Sequence, residues 1–373
     1  MLKKTKILFV VPDLYSGGAQ RVFMNLVKGF SRDSFDITLV TLIRPNNEYF
    51  TKLLPGDIRL VQFNFRNTRH AFTTLISLIR RERPGIVFST LTHLNVILAM
   101  VSFFVSRKTF FVARESNTTS SSLKDEKFPL LFRFLYKRLY KNFHLIICQS
   151  KAMANDLITN FDVDPLGIKV IYNPIDMDLI SASTQDLSRT PPSDSERVEL
   201  LCVGRLSNQK GFDRLLKILS LPSNFDFRLR IIGDGPLKEE LMRLTTELRL
   251  NGRVEFLGIQ ENPFQFMVAS DCLLLPSYYE GLPNVVLEAN ACGLPVIAFN
   301  SPGGTAEIIE EGLNGWLVPD GDLQLFARRI EKKEYLALNK SEIVKFVTER
   351  FSLKEIISEY ERAILSLSVR SND

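Results

Sequence analysis

The chain has 373 residues, room for about two domains at roughly 150 residues each, and its 45% hydrophobic and 24% charged residues exclude wholesale disorder. With 47 Lys and Arg against 42 Asp and Glu the net charge is +5, too mild to mark a nucleic-acid-binding protein, and no nucleic-acid partner is expected. The charge is unevenly placed: residues 1–180 hold 25 basic and 14 acidic side chains (+11) and the remainder 22 and 28 (−6), so one half is expected to face something anionic.

In chain order, MLKKTKILFVVPDLYSGG sets basic residues before an apolar run. Ile7–Val11 is too short for a signal-peptide core and Asp13 follows at once, so a first strand is expected. Six further β-rich runs, from Ile37–Ile43 to Lys169–Ile171, alternate with helical patterns such as Ala19–Phe30, Ala71–Arg83, His93–Val105 and Phe128–Asn142. That alternation predicts a parallel sheet with helices on both faces. Val96–Val105 is too short to span a bilayer, and a cytoplasmic protein is expected. A polar stretch with a double proline, SASTQDLSRTPPSDSER, then breaks the rhythm and reads as a linker. Beyond it strands are expected at Glu199–Val203, Arg228–Ile232, Val254–Leu257, Cys272–Leu275 and Pro295–Phe299, with helices between them and at Thr305–Glu311. The expected fold class is α/β: two tandem Rossmann-like domains facing across a cleft, over residues 1–180 and 198–373 with a linker at 181–197. A closing helix from Leu353 to Leu367 is counted with the second domain and could cross back over the junction. Cys148, Cys202, Cys272 and Cys292 are scattered without CxxC spacing and read as small core fillers.

Three motifs carry chemistry. Gly204-Arg205-Leu206-Ser207-Asn208-Gln209-Lys210-Gly211 follows a strand and opens a helix, whose unsatisfied amides favour an anion. Arg205 and Lys210 add two cations, enough to oppose a diphosphate without a metal; the plain alternative is a turn with two solvated cations. In Glu280-Gly281-Leu282-Pro283-Asn284-Val285-Val286-Leu287-Glu288 two carboxylates lie eight residues apart across a turn and a helix start. Carboxylates suit sugar and ribose hydroxyls, and the amides around Gly281–Asn284 suit a phosphate. Otherwise Glu280 is a turn residue and Glu288 a surface one. Ser16-Gly17-Gly18 after the first strand permits close approach of a ligand, although any strand-to-helix turn can carry two glycines.

Together GRLSNQKG, EGLPNVVLE, SGG and IIGDGP resemble the retaining glycosyltransferases of the GT-B fold, specifically glycosyltransferase family 4, from the first strand to the turn at Gly315–Pro319. The resemblance implies an enzyme that takes a sugar from a nucleotide diphosphate donor, a UDP-N-acetylhexosamine or UDP-hexose. The acceptor would be a glycan or a polyprenyl-diphosphate-linked oligosaccharide in surface polysaccharide assembly. It implies that Arg205 and Lys210 hold the diphosphate, Glu280 the donor sugar and Glu288 the ribose, with Gly281, Leu282 and Asn284 beside the donor. Arg205, Lys210 and Glu280 would be the catalytic set; Gly17 and Gly18 would lie near the phosphates and acceptor, and Gly258–Asn262 near the base. The first domain would bind the acceptor and the second the nucleotide sugar. Front-face substitution, with the departing phosphate taking the acceptor proton, would need no cofactor and no metal.

One departure stands out. Many family members place a histidine after a strand of the first domain, where this chain has Val112-Ala113-Arg114-Glu115-Ser116-Asn117. Either Arg114, Glu115 or Asn117 touches donor or acceptor, or Arg114 and Glu115 form an internal ion pair closing the strand end. His93 is the one histidine expected at the cleft, as a structural or acceptor-side residue. Asp162-Val163-Asp164 and Asp176-Met177-Asp178 read as solvated turns beside prolines, not metal ligands. The segment Lys124–His144 interleaves cations with aromatics, either as an ordinary helix with its aromatics in the core or as one lying on an anionic inner leaflet. Two further functions remain open on these residues: a UDP-sugar 2-epimerase, and a non-catalytic sugar-nucleotide-binding partner in a glycan-assembly complex.

Overall fold

The computed structural model describes residues 4–14, 17–43, 54–185, 197–222 and 225–369. Backbone contacts divide the chain into two compact units, Met1–Pro174 with Leu353–Asp373, and Ile175–Ser352. The strands of the first are β1 (Thr5–Val11), β2 (Phe35–Thr41), β3 (Arg59–Gln62), β4 (Ile86–Thr90), β5 (Phe110–Arg114), β6 (Leu145–Cys148) and β7 (Ile168–Val170). They form a parallel sheet in the order β3-β2-β1-β4-β5-β6-β7. Alternate residues of a strand point to opposite faces: Leu8 and Val10 of β1 enter one apolar cluster, Ile7, Phe9 and Val11 the other. Both faces are covered, so the strand is apolar throughout and does not alternate with polar residues. Helices Phe72–Glu82, Thr92–Val101, Pro129–Leu139 and Lys151–Phe161 close the Leu8 face; Gly18–Gly29 and Leu353–Val369 close the Ile7 face.

The second unit repeats the plan with β8 (Val198–Val203), β9 (Phe227–Ile232), β10 (Val254–Gly258), β11 (Cys272–Leu275), β12 (Val296–Asn300) and β13 (Gly315–Pro319), all parallel, in the order β10-β9-β8-β11-β12-β13. In each sheet the order reverses beside the unit's first strand, between β1 and β4 and between β8 and β11. The carboxyl ends of strands at such a reversal form the crevice where open α/β sheets hold ligands.

The division differs from the sequence expectation at both ends of the second unit. The chain leaves the first unit at Pro174, and the expected linker begins inside helix Met177–Thr184, capped by Asp176 Oδ1 accepting from Leu179 N at 3.0 Å; residues 186–196 lie outside those described. The closing helix belongs with the first unit because Ile356, Ile357, Tyr360, Ala363, Ile364 and Leu367, one helical stripe, enter its core. Gly315–Pro319, read as a turn, is the edge strand β13, since an edge position tolerates the terminal proline. Thr305–Glu311, read as a helix, holds only the 3-10 turn Thr305–Glu307. Helices Leu323–Glu331 and Lys340–Phe351 were not expected. All four cysteines are unpaired, and burial pushes their thiols up. No helix among the described residues is long and apolar enough to cross a membrane.

Glu82 makes an acid-sensitive contact in the first unit. Glu82 accepts from Lys6 Nζ at 2.6 Å and from Arg59 at 3.0 and 3.1 Å. The hydrogen bond from Lys6, then that from Arg59, lowers its carboxyl from 4.5 to about 2. A carboxyl lowered on folding stabilises the fold above its unfolded value and loses that contribution as pH falls through its folded value. Wild type is therefore expected to lose more stability than Glu82→Gln between about pH 4.5 and about pH 2, as measured by denaturant unfolding across that range. Parallel pH profiles would refute the assignment.

Candidate functional site

The turns at the carboxyl edge of the second sheet are laced together. Gly204 N donates to Ile232 O at 2.9 Å, Leu206 N to Asp234 O at 3.0 Å and Gly233 N to Gly258 O at 2.8 Å. Gly233, at φ +136°, is obligatory because a Cβ there would overlap the Gly204 carbonyl. The turn after β8 therefore rests on the turn after β9, which rests on the end of β10.

Across the reversal, the turn after β8 meets the loop after β11. Tyr278 N donates to Gln209 O at 2.8 Å and Gln209 Nε2 to Tyr279 O at 3.1 Å. These bonds bring Lys210 Nζ to 2.6 Å from Glu280 Oε1, which also accepts from Ser277 Oγ at 2.6 Å. Glu280 is 4% exposed, so a lysine ammonium and a nearly buried carboxylate form the floor of this edge. Arg205 is exposed, and no ion pair engages it among the described residues. Gly211, at φ +63°, caps helix Phe212–Leu219 without a side chain, in a place where a Cβ would meet the Pro276 carbonyl. Gly281 and Leu282 are buried, and Asn284 begins helix Asn284–Ala291, on which Glu288 is half-buried. The loop after β12 supports this segment from the side: Glu280 N donates to Pro302 O at 2.9 Å and Gly304 N to Gly281 O at 2.7 Å.

The sequence reading missed Arg214. It looks like one more cation on a helix, yet it is 4% exposed. Its Nε donates to Pro276 O, its Nη2 to Ser277 O and its Nη1 to Asp320 Oδ1, the last at 2.7 Å. The guanidinium also lies between the rings of Tyr278 and Phe299, 4.1 and 4.0 Å from their centroids. A planar fork reaching two successive carbonyls holds the loop that carries Glu280. No sequence signal marks it, because its partners lie on a loop and beyond a strand that read as a turn.

In the first unit Gly17 caps helix Gly18–Gly29 at the carboxyl edge, with φ −78° and no side-chain cap; Ser16 lies outside the described residues. Its conformation is open to any residue, and only the end of the Gln20 side chain crowds it. His93 is half-exposed in the first turn after β4, with Nε2 3.1 Å from Glu126 Oε1 and its ring edge-on to Phe132. Asn117 is half-buried in the loop after β5.

Arg114 and Glu115 do not form the ion pair that was one expectation. They are successive residues at a strand end and point apart. Arg114, fully buried, donates to Tyr360 Oη at 3.1 Å, Asn173 Oδ1 at 2.6 Å and Thr90 Oγ1 at 3.4 Å. Glu115 accepts from Tyr140 Oη, from Asn95 Nδ2 at 3.0 Å and from Thr119 Oγ1 at 3.4 Å, and burial pushes its carboxyl above the usual range. Both side chains are buried and engaged within the first unit.

The two Asp-x-Asp strings are helix and turn devices: Asp162 ends helix Lys151–Phe161 at φ +57°, Asp164 Oδ1 accepts from Leu166 N, and Asp176 caps the next helix. Among the described residues no group of His, Cys, Asp or Glu could hold a metal.

Family models match nearly all of this chain: Glycosyltransferase Family 4 over residues 16–179 and Glycosyl transferases group 1 over 183–342. It is 31% identical over 324 residues to the N-acetylgalactosamine-N,N'-diacetylbacillosaminyl-diphospho-undecaprenol 4-alpha-N-acetylgalactosaminyltransferase of Campylobacter jejuni, covering 84% of this chain and 86% of that one. It is 27% identical to the lipopolysaccharide core biosynthesis glycosyltransferase LpsE of Rhizobium meliloti, covering 85% of each. In fold it is similar to Anabaena Alr3699/HepE in complex with UDP and glucose, with a TM-score of 0.77 at 24% identity, covering 97% of this chain and 100% of that one.

Proposed function

The chain belongs to glycosyltransferase family 4 and has the GT-B fold, and from that premise we propose that it moves a sugar from a UDP-linked donor, an N-acetylhexosamine or a hexose, with retention of configuration. The acceptor is a glycan or a lipid-linked oligosaccharide in surface polysaccharide assembly. The observation that carries the reading is the meeting of Lys210 and Glu280 at 2.6 Å where the strand order of the second sheet reverses. A UDP donor is favoured by a structural neighbour that binds UDP and glucose. A lipid-linked or surface-glycan acceptor is favoured by the names of the Campylobacter and Rhizobium relatives.

In this reading Arg205 and Lys210 hold the diphosphate and oppose the charge that grows on it as the donor C1–O bond breaks. Glu280 takes donor sugar hydroxyls and Glu288 the ribose, while Gly281, Leu282 and Asn284 line the donor. Gly17 and Gly18 are assigned to the phosphates and acceptor, and His93 and Asn117 to the acceptor side. The acceptor hydroxyl enters on the face the leaving group vacates, and the leaving phosphate takes its proton. Fixed donors aimed at developing charge lose nothing to reorganisation during the step, which is why electrostatics is assigned the main effect.

A thermal-shift screen of nucleotide sugars tests the donor class, because a ligand that binds only the folded chain raises its unfolding midpoint. UDP-sugars are expected to raise it and GDP-sugars not to; the reverse order would overturn the UDP assignment. Glu280→Ala is expected to lower kcat at least about tenfold while changing UDP affinity less; a selective loss of UDP affinity would exchange the roles of the two glutamates. A chelator is expected to leave turnover unchanged, and inhibition reversed by manganese would contradict metal independence.

A further inference from the structure

Helix Pro129–Leu139 is apolar on both faces. Phe132, Leu135, Tyr136 and Leu139 point inward and pack on the first unit's core. Outward, Leu130 is 81% exposed, Leu131 53% and Phe134 56%, and Phe128 just ahead of the helix is 57% exposed. Single exposed apolar residues are ordinary, but these sit at the spacing of one helical stripe. The adjoining helix Thr92–Val101 ends in the turn Ser102–Phe104 with two more, Phe103 and Phe104.

The flanks of the stripe are cationic. Lys127, Arg133, Lys137, Arg138 and Lys141 are all exposed, and no acidic residue occurs from Lys127 through Asn142. Lys137 reaches Asp162 at 2.7 Å, while Arg138 lies over the exposed Phe134 ring and Lys127 over Phe128. The segment's aromatics are divided between the two faces, where one expectation put them in the core. Phe132, Tyr136 and Tyr140 face inward, and Phe128 and Phe134 face outward.

Apolar side chains between flanking cations match the level of a bilayer where acyl chains meet anionic headgroups. We propose that the outward face of Pro129–Leu139, with Phe128, docks on an anionic lipid bilayer: Leu130, Leu131 and Phe134 lie among the headgroups, and Arg133, Arg138 and Lys141 lie against lipid phosphates. Charge complementarity selects this occupant over a zwitterionic surface, since each basic residue near an anionic bilayer adds about fivefold in binding. The helix follows the loop at the carboxyl end of β5, so a docked bilayer would present a lipid-linked acceptor near that edge. That consequence rests on the transferase reading; the docking itself does not.

The test is co-sedimentation of the full chain with vesicles, without donor or acceptor, so its outcome is independent of whether sugar transfer occurs. Wild type is expected to bind mixed phosphatidylglycerol–phosphatidylcholine vesicles, to release them as salt rises, and to ignore pure phosphatidylcholine. Leu130→Ser/Leu131→Ser/Phe134→Ser is expected to bind at least about tenfold more weakly with an unchanged unfolding midpoint, because its side chains are exposed. Arg138→Glu/Lys141→Glu is expected to abolish the preference for anionic lipid and keeps the proposal testable should the triple variant not fold. Wild type remaining in the supernatant, equal binding to both vesicle types, or undiminished binding by both variants would overturn it. So would self-association of wild type in the absence of lipid that the triple variant abolishes, which would make the face a protein interface.

Discussion

Lys210→Ala is expected to lower kcat for sugar transfer about a hundred- to a thousandfold, the usual effect of removing one preorganised donor to a developing anion. Two physical losses combine. In the proposed reading the departing diphosphate loses a cation, and Glu280, 4% exposed, loses the ammonium 2.6 Å from its Oε1. The second loss also reaches stability, because a nearly buried carboxylate deprived of its cation is penalised. Arg205→Ala separates the two: Arg205 is exposed and in no ion pair among the described residues, so it should lower turnover while leaving the unfolding midpoint unchanged. Steady-state kinetics and thermal unfolding of both variants provide the comparison. Near-normal turnover in both would refute the diphosphate role.

Arg214→Ala is expected to destabilise the second unit by about 2–4 kcal/mol, because two buried carbonyls each lose their donor at roughly 1–3 kcal/mol apiece. Without the guanidinium, the Pro276 and Ser277 carbonyls and Asp320 lose a shared donor, and the rings of Tyr278 and Phe299 lose the cation between them. Arg214→Lys keeps the charge but not the fork, so it should remain folded at 25 °C and still lose turnover, because the loop leading to Glu280 is no longer held. Asp320 is largely on the surface, and Asp320→Asn should cost about 1 kcal/mol or less. Urea unfolding with kinetics on the same three proteins checks the order. An Arg214→Ala effect within about 0.5 kcal/mol, the range of an ordinary surface substitution, would show that the clamp is idle.

The parts of this molecule that read directly from sequence are those whose signal is local. Buried parallel strands are short apolar runs, and Cys272–Leu275 was expected at the bounds it has. Gly204–Gly211 and Glu280–Glu288 were legible as strand-to-helix turns because glycine, proline and charge concentrate there. Their contact was not visible, since it depends on β11 lying beside β8. Arg214 was hidden for the same reason: its three hydrogen-bond acceptors lie 62, 63 and 106 residues away in sequence. β13 was obscured by its glycine and proline, and the closing helix was counted with the second domain, its crossing back left open, because a stripe shows that a helix is buried but not against what. Arg114 and Glu115 illustrate a further limit, because adjacent opposite charges invite pairing while a strand directs them to opposite faces.

The central claim is that the diphosphate of a UDP donor lies at the carboxyl edge of β8 and β11 against Arg205 and Lys210. A crystal structure of the chain with UDP tests it most directly. The account predicts phosphate oxygens within hydrogen-bonding distance of both side chains and of the amides opening helix Phe212–Leu219, with the ribose at Glu288. UDP bound elsewhere, or bound here with its phosphates turned away from residues 205 and 210, would contradict it.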